Sequence, residues 1–297
     1  MIGVVVMTCK TWLEHFLFSF KKNKIKNSSY NYYRERFEVL KPLYDFELED
    51  LTLFDVQNFI NIYQQEHSYS TVRGCFVLLQ QAFSKAVNAG FIKINPCDGV
   101  ELPHREKQEV DSLSDFELKQ LFTCNQRSYY YPIFLFLLFS GMRVGEVIAL
   151  SPTDIDLKNK IIHVDNNFYR GELSTPKTLS GCREIPLTSE LEKIICRARS
   201  ARNILFPNTL GERIDYHVLL TAWHRQQTSC GFIKLHGLHS LRHTFASNLI
   251  HSGADVKTVS LLLGHKDIQT TLNFYCHADI KQKRDVISLL NFKSFLR

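Results

Sequence analysis

Between His236 and Tyr275 the chain gathers its densest polar chemistry: His236, His239, Arg242 and His243, then His265, then Tyr275 at the end of an amphipathic segment. Three readings compete for such a set. A metal would want imidazoles on one face, which His236, His239 and His243, at i, i+3 and i+7, would supply on a continuous helix. Against zinc stand the lack of a His-Glu-x-x-His motif and the presence of Gly237, which makes a helix through all three unfavourable. The one close carboxylate pair, Asp154 and Asp156, reads more simply as a helix-to-strand turn than as a two-metal site. A phosphate site accounts for more residues, because His239 and Arg242 lie one turn apart at a helix start, where the helix dipole also favours an anion. The plainest reading is a histidine-rich surface.

These groups need a frame. A helix from Leu241 ends near Gly253; Asp255 caps the next, over 256–263, and Gly264 terminates it, leaving His265 just past a helix end. Asp267 caps a last segment that Ile268, Thr271, Leu272 and Phe274 can anchor while Tyr275 projects. Far upstream, Ser114 and Glu117 form a capping-box signature. An apolar helix from about Tyr131 then runs to Ser140-Gly-Met-Arg143-Val-Gly-Glu146. Arg143 follows a segment rigid enough to hold it, although an ion pair with Glu146 would explain it as simply. A β-type region comes next, with a strand over 161–164 and a hairpin that runs from 172–178 through Leu179-Ser-Gly181 into 182–187. Lys177 sits near the tip of that hairpin, where most lysines are solubilising decoration. Helices over 189–199 and 215–226 lead back to the histidines.

The first hundred residues read as helices only: 11–26, 29–40, one capped by Thr52, and one from Tyr69 to a stop at Gly90. The basic run 21–26 reads as a solvated face or loop, with phosphate contact as the alternative. The start of the fourth helix carries Ser70, Thr71 and Arg73, hydroxyl and guanidinium donors on a positive helix end that suit DNA phosphates and base edges. A plain helical bundle would look the same. Residues 1–103 thus form a helical domain, 104–111 a polar linker, and 112–297 a second domain. The expected fold is mainly α with a small antiparallel β-sheet.

Composition sets outer limits. A length of 297 residues with 44% hydrophobic content suits two packed domains. Residues 1–110 hold 13 basic and 13 acidic side chains, so of the chain's 36 Lys+Arg and 30 Asp+Glu, 23 and 17 fall in the remainder. The whole net charge of +6 therefore sits in the second domain, which points to a polyanionic partner. The eight cysteines are scattered without a Cys-x-x-Cys pair, a pattern expected of reduced thiols in a cytoplasmic protein. No stretch approaches the ~20 apolar residues of a membrane span, and the N-terminus lacks a signal-peptide pattern. Met7 is an alternative start.

Taken together and in order, Gly141-Met-Arg143-Val-Gly-Glu146, Thr175-Pro-Lys177-Thr178, His239-Ser-Leu-Arg242-His-Thr, and Leu263-Gly-His265 with Tyr275 ten residues on resemble the catalytic motifs of the tyrosine recombinases, the phage and mobile-element integrase family. The match spans 112–290, and the helical unit before it is similar to that family's core-binding domain. The resemblance implies a site-specific recombinase that cleaves and rejoins double-stranded DNA through a 3′-phosphotyrosine, with no metal, nucleotide or other cofactor. It implies Tyr275 as nucleophile, Arg143 and Arg242 on the phosphate oxygens, His239 as general base or donor, His265 as a further donor, Lys177 as the acid for the leaving 5′-oxygen, and Glu146 in support of Arg143. His236 and His243 are expected to be structural. It further implies a tetramer on recombining sites and accessory DNA-bending or directionality factors. Many integrases carry an arm-binding domain ahead of the core-binding unit; here the helical unit begins almost at once, so that domain is expected to be absent or truncated away. The apolar tail 279–297 resembles the family's C-terminal helix that docks on a neighbouring protomer, with packing on its own domain as the alternative. A cleavage-silent DNA-binding relative and a metal-dependent hydrolase are the alternatives.

Overall fold

The computed structural model describes residues 7–22, 24–25, 27–104, 110–124, 128–175, 182–198, 200–201 and 203–272. The chain divides into two compact units, Met1–Gln108 and Glu109–Arg297.

The first unit is helical. α1 (Cys9–Phe16) starts at Thr8, whose hydroxyl accepts the Thr11 N–H, and runs on into a π-helical turn, Leu17–Lys21. α2 (Asn27–Val39), α3 (Leu53–Tyr63) and α4 (Tyr69–Asn88) follow. Their apolar faces meet in one core that includes Trp12, Phe16, Ile60, Leu79 and Phe83. The buried indole N–H of Trp12 donates to the Ala82 carbonyl at 2.9 Å, which ties α1 to α4. Thr52 and Asp55 close a capping box on α3, a local device whose loss costs about 1 kcal/mol. In the basic run, Lys21 bonds Gln81 at 2.7 Å and lies over the Phe16 and Tyr33 rings, while Lys24 lies over Phe20. The run is thus anchored on aromatic faces.

The second unit is built on α6 (Tyr131–Ser140), preceded by α5 (Asp115–Thr123), which opens on the Ser114–Glu117 capping box. A helix apolar on all sides belongs inside a core. Phe134 packs on Trp223 and Phe136 on Phe206, with ring centroids 4.9 and 5.0 Å apart. α7 (Val144–Ala149) follows directly, and a 3-10 turn over Pro152–Asp154 leads to β1 (Ile155–Asp156). β2 (Ile161–Val164), β3 (Asn167–Tyr169), β4 (Glu172–Ser174) and β5 (Arg183–Pro186) come next. Then come α8 (Ser189–Arg197), α9 (Tyr216–Ser229), α10 (His239–His251), α11 (Val256–Leu263) and α12 (Ile268–Leu272). Ala246 and Ile250 of α10 pack on Val259 and Leu263 of α11 in a small core of their own.

Two expectations need correction. The stretches 172–178 and 182–187 were expected to pair with each other. Instead β4 folds back on β3, with Tyr169 opposite Glu172, and β5 pairs antiparallel with β2 in a sheet ordered β1-β2-β5. The reason is the turn between β3 and β4: Arg170 and Gly171 both have positive φ, 50° and 83°, the conformation that closes a two-residue hairpin. The expected turn at Leu179-Ser-Gly181 lies outside the described residues. The cysteines are not all free thiols, since Cys124 and Cys230 are joined as a disulfide with Cα atoms 5.2 Å apart. They are 106 residues apart in sequence and meet only because α5 and α9 end side by side, so spacing could not reveal the pair. Among the described residues no helix is long and apolar enough to cross a membrane.

Candidate active site

α6 stops at Gly141, which takes a left-handed conformation with φ of 63°. A Cβ at this position would lie 2.3 Å from Phe245 Cδ1, so both the backbone and its neighbour on α10 require glycine. Past this turn, Arg143 heads α7. Its Nη1 meets Glu146 Oε1 at 2.8 Å, its backbone N–H donates to Glu146 Oε2 at 2.8 Å, and its Nη2 reaches the Gly264 carbonyl at 2.9 Å. The ion pair with Glu146 is therefore real, yet it engages only part of a guanidinium with five N–H donors.

Arg242, one turn into α10, is only 2% exposed. It donates Nη1 to the Gly141 carbonyl at 2.7 Å and Nη2 to the Leu263 carbonyl at 2.6 Å. α11 ends at Gly264 in the left-handed cap conformation, φ 65°, which leaves its last carbonyls open to outside donors. The ends of α6 and α11 and the starts of α7 and α10 thereby meet at the two arginines.

Sequence reasoning missed a third arginine. Arg183, on β5, places Nη2 2.8 Å from Glu146 Oε2 and Nη1 3.1 Å from Glu146 Oε1, and its Nε donates to the Leu262 carbonyl at 2.7 Å. The available signal was an arginine in a strand that also carries the buried Ile185, and its partners stand 37 and 79 residues away in sequence. Burial alone would raise the Glu146 pKa; the hydrogen bonds and charge of Arg183, then the charge of Arg143, hold it below the ordinary range instead.

The imidazoles are tuned to be neutral. The surrounding protein mass, then the charges of His243, Arg242 and Arg143, push His239 down to about 4. The ring itself stays exposed at the head of α10. His265, half-buried, is lowered to about 4 by burial and then by Arg242 and Arg143, and its Nδ1 lies 2.8 Å from the hydroxyl of buried Thr271. Burial, then Arg143, lowers Arg242 to about 9, which leaves it charged at neutral pH. Two guanidiniums, those of Arg143 and Arg183, thus share the Glu146 carboxylate, while Arg242 rests on the Gly141 and Leu263 carbonyls. An uncompensated buried cation is unfavourable unless an anion completes the site.

The structure brings together Arg143, Glu146, Arg242 and, at the head of α10, His239; His265 directly follows Gly264. His243 is a neighbour of the site, its ring edge-on to His239 at 5.0 Å between centroids. His236 is engaged elsewhere: buried, it sets Nδ1 2.8 Å from Asp111 Oδ1 and Nε2 2.9 Å from Glu117 Oε1. Among the described residues no three His, Cys, Asp or Glu side chains converge as a metal ion would require. Lys177, Tyr275 and the tail 279–297 lie outside the described residues. In the first unit, Ser70 and Thr71 each place their hydroxyl against that of Ser68, at 3.0 and 3.1 Å, and Ser70 and Arg73 are exposed at the start of α4.

Residues 106–282 match the phage integrase family. The tyrosine recombinase XerC-like protein of Caldanaerobacter subterraneus is 27% identical in an alignment covering 91% of this chain and 75% of the relative. The transposase of transposon Tn916 from Enterococcus faecalis is 24% identical over 78% of this chain, and the chain spans 64% of its length. The fold is that of the Tn1549 transposon integrase in complex with a circular-intermediate DNA: TM-score 0.83 at 21% identity, over 96% of this chain and all of the other. The lambda integrase tetramer bound to a Holliday junction gives 0.75 at 18% identity, over 91% of this chain and 78% of that one.

Proposed function

This chain belongs to the phage integrase family and is a site-specific recombinase that breaks and rejoins DNA; we propose that it works through a phosphotyrosine formed at Tyr275. The observation that carries this reading is the pair Arg143 and Arg242. They come from helices about a hundred residues apart, hold adjacent carbonyls of one helix end, and lie beside two imidazoles whose pKa values are lowered. Forked guanidinium donors match phosphate oxygens and oppose the charge that builds up on them in the transition state.

The step balances without an external energy source. His239 accepts the phenol proton of Tyr275, whose ordinary pKa of ~10 makes such help necessary. The phenolate oxygen bonds to phosphorus while the bond from phosphorus to the 5′-oxygen breaks. Lys177 gives its proton to that oxygen, leaving a 3′-phosphotyrosine and a free 5′-hydroxyl. Attack by a 5′-hydroxyl of another strand reverses each transfer. His265 adds a donor, and Glu146 keeps Arg143 in place. In the first unit, Ser70, Thr71 and Arg73 contact the duplex. By analogy with the lambda integrase assembly, four protomers act on two sites, helped by accessory DNA-bending or directionality factors and by the tail 279–297.

Incubation with a nicked duplex carrying its target site, followed by denaturing gel electrophoresis, tests the reading. A covalent protein–DNA adduct is expected from the unaltered chain, none from Tyr275→Phe, and EDTA should leave the yield unchanged. An adduct from Tyr275→Phe would overturn the choice of nucleophile. Inhibition by EDTA would favour a metal-dependent route.

A further inference from the structure

The end of α11 receives three guanidiniums on three consecutive carbonyls: Arg183 Nε on Leu262 at 2.7 Å, Arg242 Nη2 on Leu263 at 2.6 Å and Arg143 Nη2 on Gly264 at 2.9 Å. Two of these arginines already have work at the phosphate. The third differs in how it is held. Arg183 has a side chain only 7% exposed and grips both oxygens of Glu146, itself 3% exposed. Glu146 Oε1 also accepts from Arg143 Nη1, and Glu146 Oε2 from the Arg143 backbone N–H.

We infer that Arg183 is a positioning residue for strand cleavage, which fixes Glu146 so that this carboxylate orients Arg143 without cancelling its charge. The inference rests on the recombinase reading above. Glu146 carries one negative charge and faces two guanidiniums. Arg183, the more buried of them, forms two contacts with the carboxylate and neutralises it, so Arg143, 36% exposed, keeps net positive charge for an incoming phosphate. Without Arg183, the carboxylate would pair with Arg143 alone. That pairing would bend the guanidinium away from substrate and leave the Leu262 carbonyl without its donor.

Single-turnover adduct formation, measured beside DNA affinity, tests this in the full chain. Arg183→Gln should slow adduct formation by about 100-fold, the scale of losing one well-placed electrostatic group, while affinity changes by less than about 3-fold. Arg183→Lys, a point charge without the fork, should fall between the two. The decisive variant is the double one. If Arg183 acts by occupying Glu146, then adding Glu146→Gln to Arg183→Gln removes the charge that would neutralise Arg143 and should recover at least about 10-fold of the lost rate. A purely structural role predicts that the double variant is no faster than Arg183→Gln, and that outcome would overturn the inference, as would an unchanged rate in Arg183→Gln. If the unaltered chain forms no adduct, the recombinase reading itself fails instead.

Discussion

Neutral imidazoles at His239 and His265 set the behaviour of the site in acid. Each is lowered from its ordinary value to about 4, by burial first and then by neighbouring cations. Between pH 6.5 and 4 the unfolded chain therefore binds protons at these positions that the native chain does not. Their contribution to stability is complete above about 6.5 and is lost as pH falls towards 4. The same shift keeps His239 able to accept a proton across the neutral range. The rate of adduct formation at limiting DNA should stay level from pH 8 to about 5 and fall only below that, because this quantity reports the free enzyme. An inflection near 6.5 that disappears in His239→Asn would show that the cations do not hold the imidazole neutral. Of the groups at this scale, His239, Arg242 and His265 were legible because helix starts and stops fix where they emerge. Arg183 was not, since the carboxylate that gives it meaning lies on another element.

Elements place those groups through their ends more than through their lengths. Gly141 illustrates this, because it stops α6, turns the chain towards Arg143, and offers its carbonyl to Arg242 at 2.7 Å. Gly141→Ala should destabilise the protein by about 1–3 kcal/mol from left-handed strain, with a further loss from the clash with Phe245. Gly253 makes a control: its φ is also positive, at 87°, but a Cβ there meets nothing within 4 Å. Calorimetry should show a larger drop for Gly141→Ala than for Gly253→Ala, and adduct formation should suffer only in the former. Equal drops would mean that the contact with α10 carries no weight. Helix ends were also the most readable feature of the sequence. Thr52, Ser114, Asp215 and Asp255 each cap a helix with their own side chain, a bond that spans two or three residues and so leaves a local signature. Strand partners were not readable. Which strand β5 joins depends on a turn at Arg170 and Gly171 that lies before β4, and the tie between Cys124 and Cys230 depends on where two distant helices end.

At the scale of the molecule, charge is divided unevenly. Residues 1–110 hold equal numbers of acidic and basic side chains, so the net charge of +6 belongs to the remainder. The excess positive charge that favours a polyanion therefore lies in the second unit. The contact proposed for the first unit is the start of α4, with Ser70 and Arg73 exposed on a twenty-residue helix whose dipole favours an anion there. A phosphate contact and a base contact leave different traces. Each neutralised phosphate adds about 0.9 to the slope of log affinity against log salt, whatever the sequence, whereas a base contact changes affinity at one position of the site by about 1–3 kcal/mol. Binding of the Tyr275→Phe protein, which lacks the proposed nucleophile, should be followed across salt concentrations with and without Arg73→Gln. A slope shallower by about 0.9, equal for target and unrelated duplexes, is expected if Arg73 meets the backbone. Relaxed preference at a single base pair with an unchanged slope would place it in a groove. If neither quantity moves, the first unit does not present this helix start to DNA, and its contact surface must be sought on another face.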